Sequence, residues 1–168
     1  MIEVLEAVDA IGPVGAWVGA GFVRNKVWDA LHGYLRPSLL NDVDVIYFDP
    51  KNQSVASEKA VESALLTAMP LVPWSVRNQA RMHHKSSAQP AVGTLDAMRY
   101  WPETATALAV CKRRNKAMQF VSCYGLDDLL GLAVKPSPNF PVGAYRRRIL
   151  AKDWLSIWPM LKIYGLSD

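Results

Sequence analysis

With two cysteines and three histidines in 168 residues, the chain has little of the chemistry that builds disulfide scaffolds or structural zinc sites. Cys111 and Cys123 flank the basic stretch KRRNK. With a hairpin turn centred near Arg114 and Asn115, residue 111 faces 118 rather than 123, so the spacing does not favour a disulfide. Two isolated cysteines also fall short of a zinc ligand set. His83 and His84 add nothing, because adjacent strand residues point to opposite faces. No uninterrupted apolar run approaches the roughly 18 residues of a membrane span. The start, MIEVLEAVDAIG, is acidic and amphipathic and lacks the basic beginning and apolar core of an export signal. A cytoplasmic protein without membrane contact is therefore expected. The net charge of +4 is only a mild bias toward anionic ligands.

What is present is enough apolar residue for a core, 51% of the chain, arranged with mixed periodicity. Ile2, Leu5, Val8 and Ile11 fall at helical spacing, and Gly12 with Pro13 ends that helix. An extended piece over 16–19 leads through Ala20 and Gly21 into a helix over 22–31, with Gly33 just beyond its end. A strand follows over 43–48, a helix over 57–69, and a strand over 74–82. On strict alternation, Ser75, Arg77, Gln79, Arg81 and His83 share a wholly polar face of that last strand. Residues 84–93 read as loop, and 94–99 as a short helix. Strands over 104–112 and 117–124 form a hairpin about the basic turn. Asp127 and Asp128 open a helix over 126–134, where acids complement the helix dipole. A proline-rich linker, 135–141, precedes a basic, aromatic-rich helix over 145–158. This order implies an α+β, or mixed α/β, domain with about four strands and helices packed on them. The division expected is a core over 1–134, with the linker and C-terminal helix over 135–168 packed onto it as one compact unit.

The chemistry concentrates in residues 17–50. Asp42 and Asp44 lie two positions apart on a strand, so both project from one surface. Acids in an otherwise apolar strand are costly to keep. Hard oxygen ligands in this arrangement suit Mg²⁺ (or Mn²⁺), which takes one or two carboxylates and completes its shell with water and substrate phosphates. The small-residue turn at Ala20 and Gly21 lets backbone amides approach a phosphate at a helix N-terminus.

AGFVRN resembles the GGxVRD element of tRNA CCA-adding enzymes and poly(A) polymerases. LNDVDVIYFDP resembles the paired-aspartate strand that follows it across the DNA polymerase β-like nucleotidyltransferase superfamily. The longer pattern, with PWSVRNQARMH, WPETATALAV and GLDDLL, is similar to a group of small bacterial nucleotidyltransferase-like proteins. The resemblance implies a polymerase β-like core in which Asp42 and Asp44 bind metal and perform catalysis. It implies that Ala20, Gly21 and Arg24 hold the triphosphate of an NTP. Asn25 stands where aspartate is common. The family's third carboxylate belongs on the following strand, which here has no acid. Asn78 or Gln79 lies near its place, with Arg77 and Arg81 beside them, and Glu103 or Asp96 are the substitutes to examine.

The expected function is Mg²⁺-dependent transfer of an NMP group from an NTP to an acceptor, which is a small molecule, a protein or RNA. The short C-terminal part argues against a large RNA-binding apparatus. The alternative is a catalytically silent nucleotide- or nucleic-acid-binding module of the same fold. A third reading, an RNA-modifying toxin or antitoxin component, has only the basic C-terminal helix in its favour. On the functional reading of that helix, Arg146, Arg147, Arg148 and Lys152 line an RNA or acceptor groove with Tyr145 and Trp154 as stacking surfaces, against the plainer reading of a helix burying Ile149, Trp154 and Trp158.

Overall fold

The computed structural model describes residues 1–82 and 90–166. His83 and most of the loop expected over 84–93 lie outside the described residues. The chain forms α1 (Ile2–Ile11), β1 (Trp17–Gly19), α2 (Gly21–Leu31), β2 (Val43–Tyr47), α3 (Val55–Ala68), β3 (Trp74–Asn78), α4 (Thr94–Met98), β4 (Leu108–Lys112), β5 (Met118–Ser122), α5 (Asp127–Leu130), β6 (Ala133–Val134), α6 (Val142–Ala151), α7 (Trp154–Ile157) and β7 (Lys162–Ile163).

Five strands make the main sheet in the order β3–β2–β1–β4–β5, with β2 and β3 parallel and the other neighbours antiparallel. The fold is thus the mixed α+β architecture expected, with one strand more than the four anticipated. The three-residue β1, which periodicity marks only as a lead-in, is the central strand. A second pair, β6 and β7, is parallel.

One sheet face carries Val43, Val45 and Tyr47 of β2 with Trp74 and Val76 of β3, packed with Val4, Leu5 and Val8 of α1 and Leu65 of α3. Alternation then sends Asp44 and Ile46 to the opposite face, where Ile46 packs with Met98, Ala109 and Trp101. A third cluster joins Trp28 of α2 to Tyr145, Ile149, Trp154 and Trp158, so α6 and α7 are seated on α2. The segment 135–141 lies along the approach to β4, with Thr104 N–H donating to Lys135 O at 3.1 Å and Ser137 N–H to Pro102 O at 3.0 Å.

Several boundaries differ from the sequence expectation for local reasons. The strand expected over 74–82 stops at Asn78, whose side chain accepts from Ala80 N–H at 3.0 Å and turns residues 79–81 into a 3₁₀ turn. The strand expected from 104 starts at Leu108, because Glu103 O accepts from both Thr106 and Ala107 and forms a 3₁₀ turn first. The helix over 126–134 ends at Leu130, and Leu132 at φ 56° redirects the chain into β6. The helix over 145–158 is two helices, parted where Lys152 turns extended. The hairpin pairs Cys111 with Gln119, not 118, because Asn115 adopts φ 58° in a turn one residue longer than the symmetric one. Both cysteines are free.

Candidate active site

β1 delivers the chain to Ala20 and then into α2. Ala20 has φ 49° and ψ −121°, a region that glycine enters freely and alanine does not. Its N–H donates to Leu108 O at 3.1 Å and its carbonyl accepts from Val23 and Arg24, so the strained turn is anchored at both ends. No side chain caps α2. The amides of Gly21 and Phe22 lie ahead of the helical ladder, where the dipole favours an anion.

Gly21 has a second task. A Cβ there would stand 3.2 Å from Arg24 Nη2, so its absence gives the arginine room to fold beneath the turn. Arg24 is only 8% exposed. Its guanidinium donates to Asn25 Oδ1 from Nε at 3.2 Å and Nη2 at 2.8 Å. It also lies over the rings of Trp28 and Trp154, at 5.2 and 4.6 Å. Burial pulls its pKa down to about 10, against the attraction of Glu103, Asp42 and Asp44, and it stays cationic at neutral pH. Asn25, in place of aspartate, accepts these hydrogen bonds without cancelling the charge.

Asp42 and Asp44 project beside this cation. Asp42 is exposed and Asp44 half-buried. Burial, and then repulsion from Asp42, push the Asp44 carboxyl above its usual range; Ser75 and the charges of Arg77 and Arg24 pull the other way. Among the described residues neither aspartate has a salt bridge. A cavity of about 310 Å³ opens from Asp44 and is lined by Ala20, Arg77, Gln79, Trp101 and Arg148 among others. Another, of about 260 Å³, borders Asp42 with Gly21, Arg24, Asn25, Lys152 and Trp154. A larger, mostly apolar cavity of about 380 Å³ near Val4, Leu40 and Pro73 includes neither acid.

The structure therefore brings together Ala20, Gly21, Arg24, Asp42, Asp44, Arg77 and Gln79. It does not bring Asn78 or Arg81 to the acids. Asn78 is buried on the other face of β3 and ties the chain after β2, bonding Asp49 N and O and Asn52 O. Arg81 pairs with buried Glu58 of α3, because the 3₁₀ turn swings it off the polar face. The parallel register places Ser75 opposite Asp44 and Arg77 opposite Ile46, so those two hold the β3 positions nearest the acids.

Neither proposed substitute for a third acid joins the pair. Asp96, in the first turn of its helix, accepts from Val92 N–H at 3.1 Å. Glu103 is fully buried and engaged by Arg148 Nε at 2.5 Å and Thr106 Oγ1 at 2.7 Å. Among the described residues no third His, Cys, Asp or Glu completes a metal-sized group.

Arg148, expected from the sequence only as one of four cations along a groove of the C-terminal helix, lines the cavity beside Asp44. Its signal is spacing: it precedes Ile149 and follows Tyr145 by three, and both of those are buried, so it shares the inward face of α6. Tyr145 is not a stacking surface, since it is fully buried and its hydroxyl lies within hydrogen-bond distance of Val134 O and Tyr164 O, sharing its one proton between them. Trp154 stacks on Arg24 rather than on solvent. The basic turn at 112–116 is latched to α1 through Glu6 and Asp9.

Among the described residues no helix is long and apolar enough to cross a membrane. No curated protein matches the chain. A solved structure that reveals a CCA-adding enzyme head domain is similar, with 29% identity and a TM-score of 0.86 over 96% of this chain and 87% of that one. Two structures of a tRNA-processing enzyme, one an apo form and one a complex, share 14% and 15% identity with TM-scores of 0.56 and 0.55, a likeness of fold. This chain spans only 45% and 44% of their lengths. The Nucleotidyltransferase family model matches residues 7–163. The strained turn, the uncapped helix and the paired acids thus sit in a chain that belongs to the nucleotidyltransferase family.

Proposed function

We propose that this enzyme transfers an NMP group from an NTP to an acceptor, releasing pyrophosphate, and that Asp42 and Asp44 hold Mg²⁺ (or Mn²⁺) for the reaction. The observation that carries this reading is the pair itself: two carboxylates on one face, one half-buried and neither salt-bridged among the described residues, beside an uncapped helix N-terminus. The donor set fits the cation, since two hard oxygens leave positions for water and phosphate. Bound there, such a cation supplies Lewis-acid stabilisation of charge on the reacting phosphate.

The protein's own groups do the rest. The Gly21 and Phe22 amides and the Arg24 charge receive the β- and γ-phosphates. Asn25 and the two tryptophans hold Arg24 in place, so no reorganisation is needed when charge moves onto the leaving group. The reaction needs a compartment supplied with NTPs, and the cytoplasm is the one proposed. A silent binding module of the same fold is the second reading, favoured by the lack of a third acid among the described residues.

Incubation with each γ-³²P-labelled NTP and Mg²⁺ in the presence of small-molecule, protein and RNA acceptors, following release of labelled pyrophosphate, separates the two. Release that disappears in Asp44→Asn supports transfer. Release that persists in that variant would remove the assignment of the pair, and binding without release would favour the silent module.

A further inference from the structure

The cavity that opens from Asp44 is lined by two arginines and, among the described residues, by no acid other than Asp44 itself. Ser75 stands opposite Asp44, and Arg77 opposite Ile46. Arg77 and Arg148 both line the cavity, as does Gln79, whose side-chain oxygen lies 3.4 Å from the Trp101 indole nitrogen. Arg77 spends Nη1 on Val76 O at 2.7 Å, with Glu62 a further 3.6 Å contact. Arg148 spends Nε on Glu103. Among the described residues the remaining guanidinium donors of each make no hydrogen bond, and the arginine fork suits phosphate geometry.

A hydroxyl acceptor needs a base to take its proton. Among the described residues the acids near the cavity are taken: Asp42 and Asp44 would be committed to the cation, and Glu103 is closed off by Arg148 and Thr106. A phosphate monoester needs no such help, because its second ionisation, near pH 6, leaves it a dianion at neutral pH. Its charge does need compensation beside two carboxylates, which the arginines provide.

Resting on the nucleotidyl-transfer reading, we infer that the acceptor is a small phosphate monoester held by Arg77 and Arg148 in the cavity beside Asp44. A phosphate oxygen of the acceptor forms a bond to the α-phosphorus of the NTP. The bond from that phosphorus to the bridging oxygen breaks, and pyrophosphate leaves with the electron pair. The product is a phosphoanhydride, and no proton leaves the nucleophile. The cavity, about 310 Å³, is at the lower end of small-ligand sites.

The test offers the protein each α-³²P-labelled NTP with Mg²⁺ and matched acceptors: glucose 1-phosphate against glucose, glycerol 3-phosphate against glycerol, and a short RNA with a free 3′-hydroxyl. Labelled product with a phosphorylated member and not with its hydroxyl twin is the expected result. Arg77→Gln, at the sheet edge, should then raise the acceptor KM roughly tenfold or more through loss of a charge-assisted hydrogen bond, with little change in kcat. Arg148→Lys, which keeps a cation for Glu103, should raise it less. Ser75→Asp should cut transfer to the phosphate. Transfer to the RNA or to a hydroxyl twin overturns the inference while leaving nucleotidyl transfer intact. Mg²⁺–NTP binding without transfer to any acceptor also overturns it. Absence of NTP binding removes the reading beneath it as well.

Discussion

Ala20 occupies a backbone conformation that costs a non-glycine residue of the order of 1–3 kcal/mol, and the cost is retained at the turn that presents the α2 amides. Ala20→Gly should raise stability by about 1 kcal/mol, seen as a higher melting temperature; an unchanged melt would mean the turn is not strained. Asp44 stores a second cost. Its folded-state pKa lies above its unfolded value, through burial and then Asp42. The folded state therefore holds that proton more tightly, and stability contributed below the unfolded pKa is lost as pH rises through the folded one. Without metal, Asp44→Asn should melt higher than wild type at neutral pH, and the advantage should fade as pH falls below the carboxylate range. Mg²⁺ should raise the wild-type melt and leave the variant's nearly unchanged. That Asp42, Asp44, Gly21 and Arg24 come close together was legible because they fall at short, fixed spacing along one strand–helix–strand segment. Arg81 and Asn78 were misplaced because alternation was carried four residues past the point where Asn78 turns the chain.

At the level of elements, the site depends on two seams. The first is β1 against the segment that carries Trp101: a Cβ on Gly19 would stand 2.7 Å from the Trp101 ring. Gly19→Ala should cost about 1–3 kcal/mol through overpacking and displace the indole from the cavity beside Asp44. Gly19→Ala with Trp101→Leu should recover most of the loss by chemical denaturation, and a double variant no better than the single would dismiss the contact. The second seam joins α6 to the approach of β4 through Arg148 and fully buried Glu103. Glu103→Gln removes the negative charge facing Arg148 and Arg24 and should destabilise by about 3 kcal/mol, as for one partner of a buried pair. A smaller loss in Glu103→Gln/Arg148→Met than in the single variant would identify the cost as unpaired charge. Such seams are long-range: nothing in local periodicity says that residue 103 meets 148. The same holds for β1, whose three residues are too few to show alternation, although the fold seats them at the sheet's centre.

Across the whole molecule, one sheet separates two tasks. One face carries the apolar packing with α1 and α3, while the other presents the acids between a cationic helix start and a cavity lined by arginine. The C-terminal helices complete the site by packing Trp154 against Arg24 and sending Arg148 toward Asp44's cavity. Composition and order of elements were sufficient to read the mixed architecture, because helix and strand periods differ along the chain. Which cavity meets which acid was not readable, since that follows from packing between segments more than 100 residues apart. The most direct test of the account is calorimetric titration of the four NTPs, with and without Mg²⁺, into wild type and Asp42→Asn/Asp44→Asn. The account predicts Mg²⁺-dependent binding of at least one NTP that the double variant loses while remaining folded. Binding that ignores both Mg²⁺ and the two substitutions, or no binding of any NTP, would contradict it.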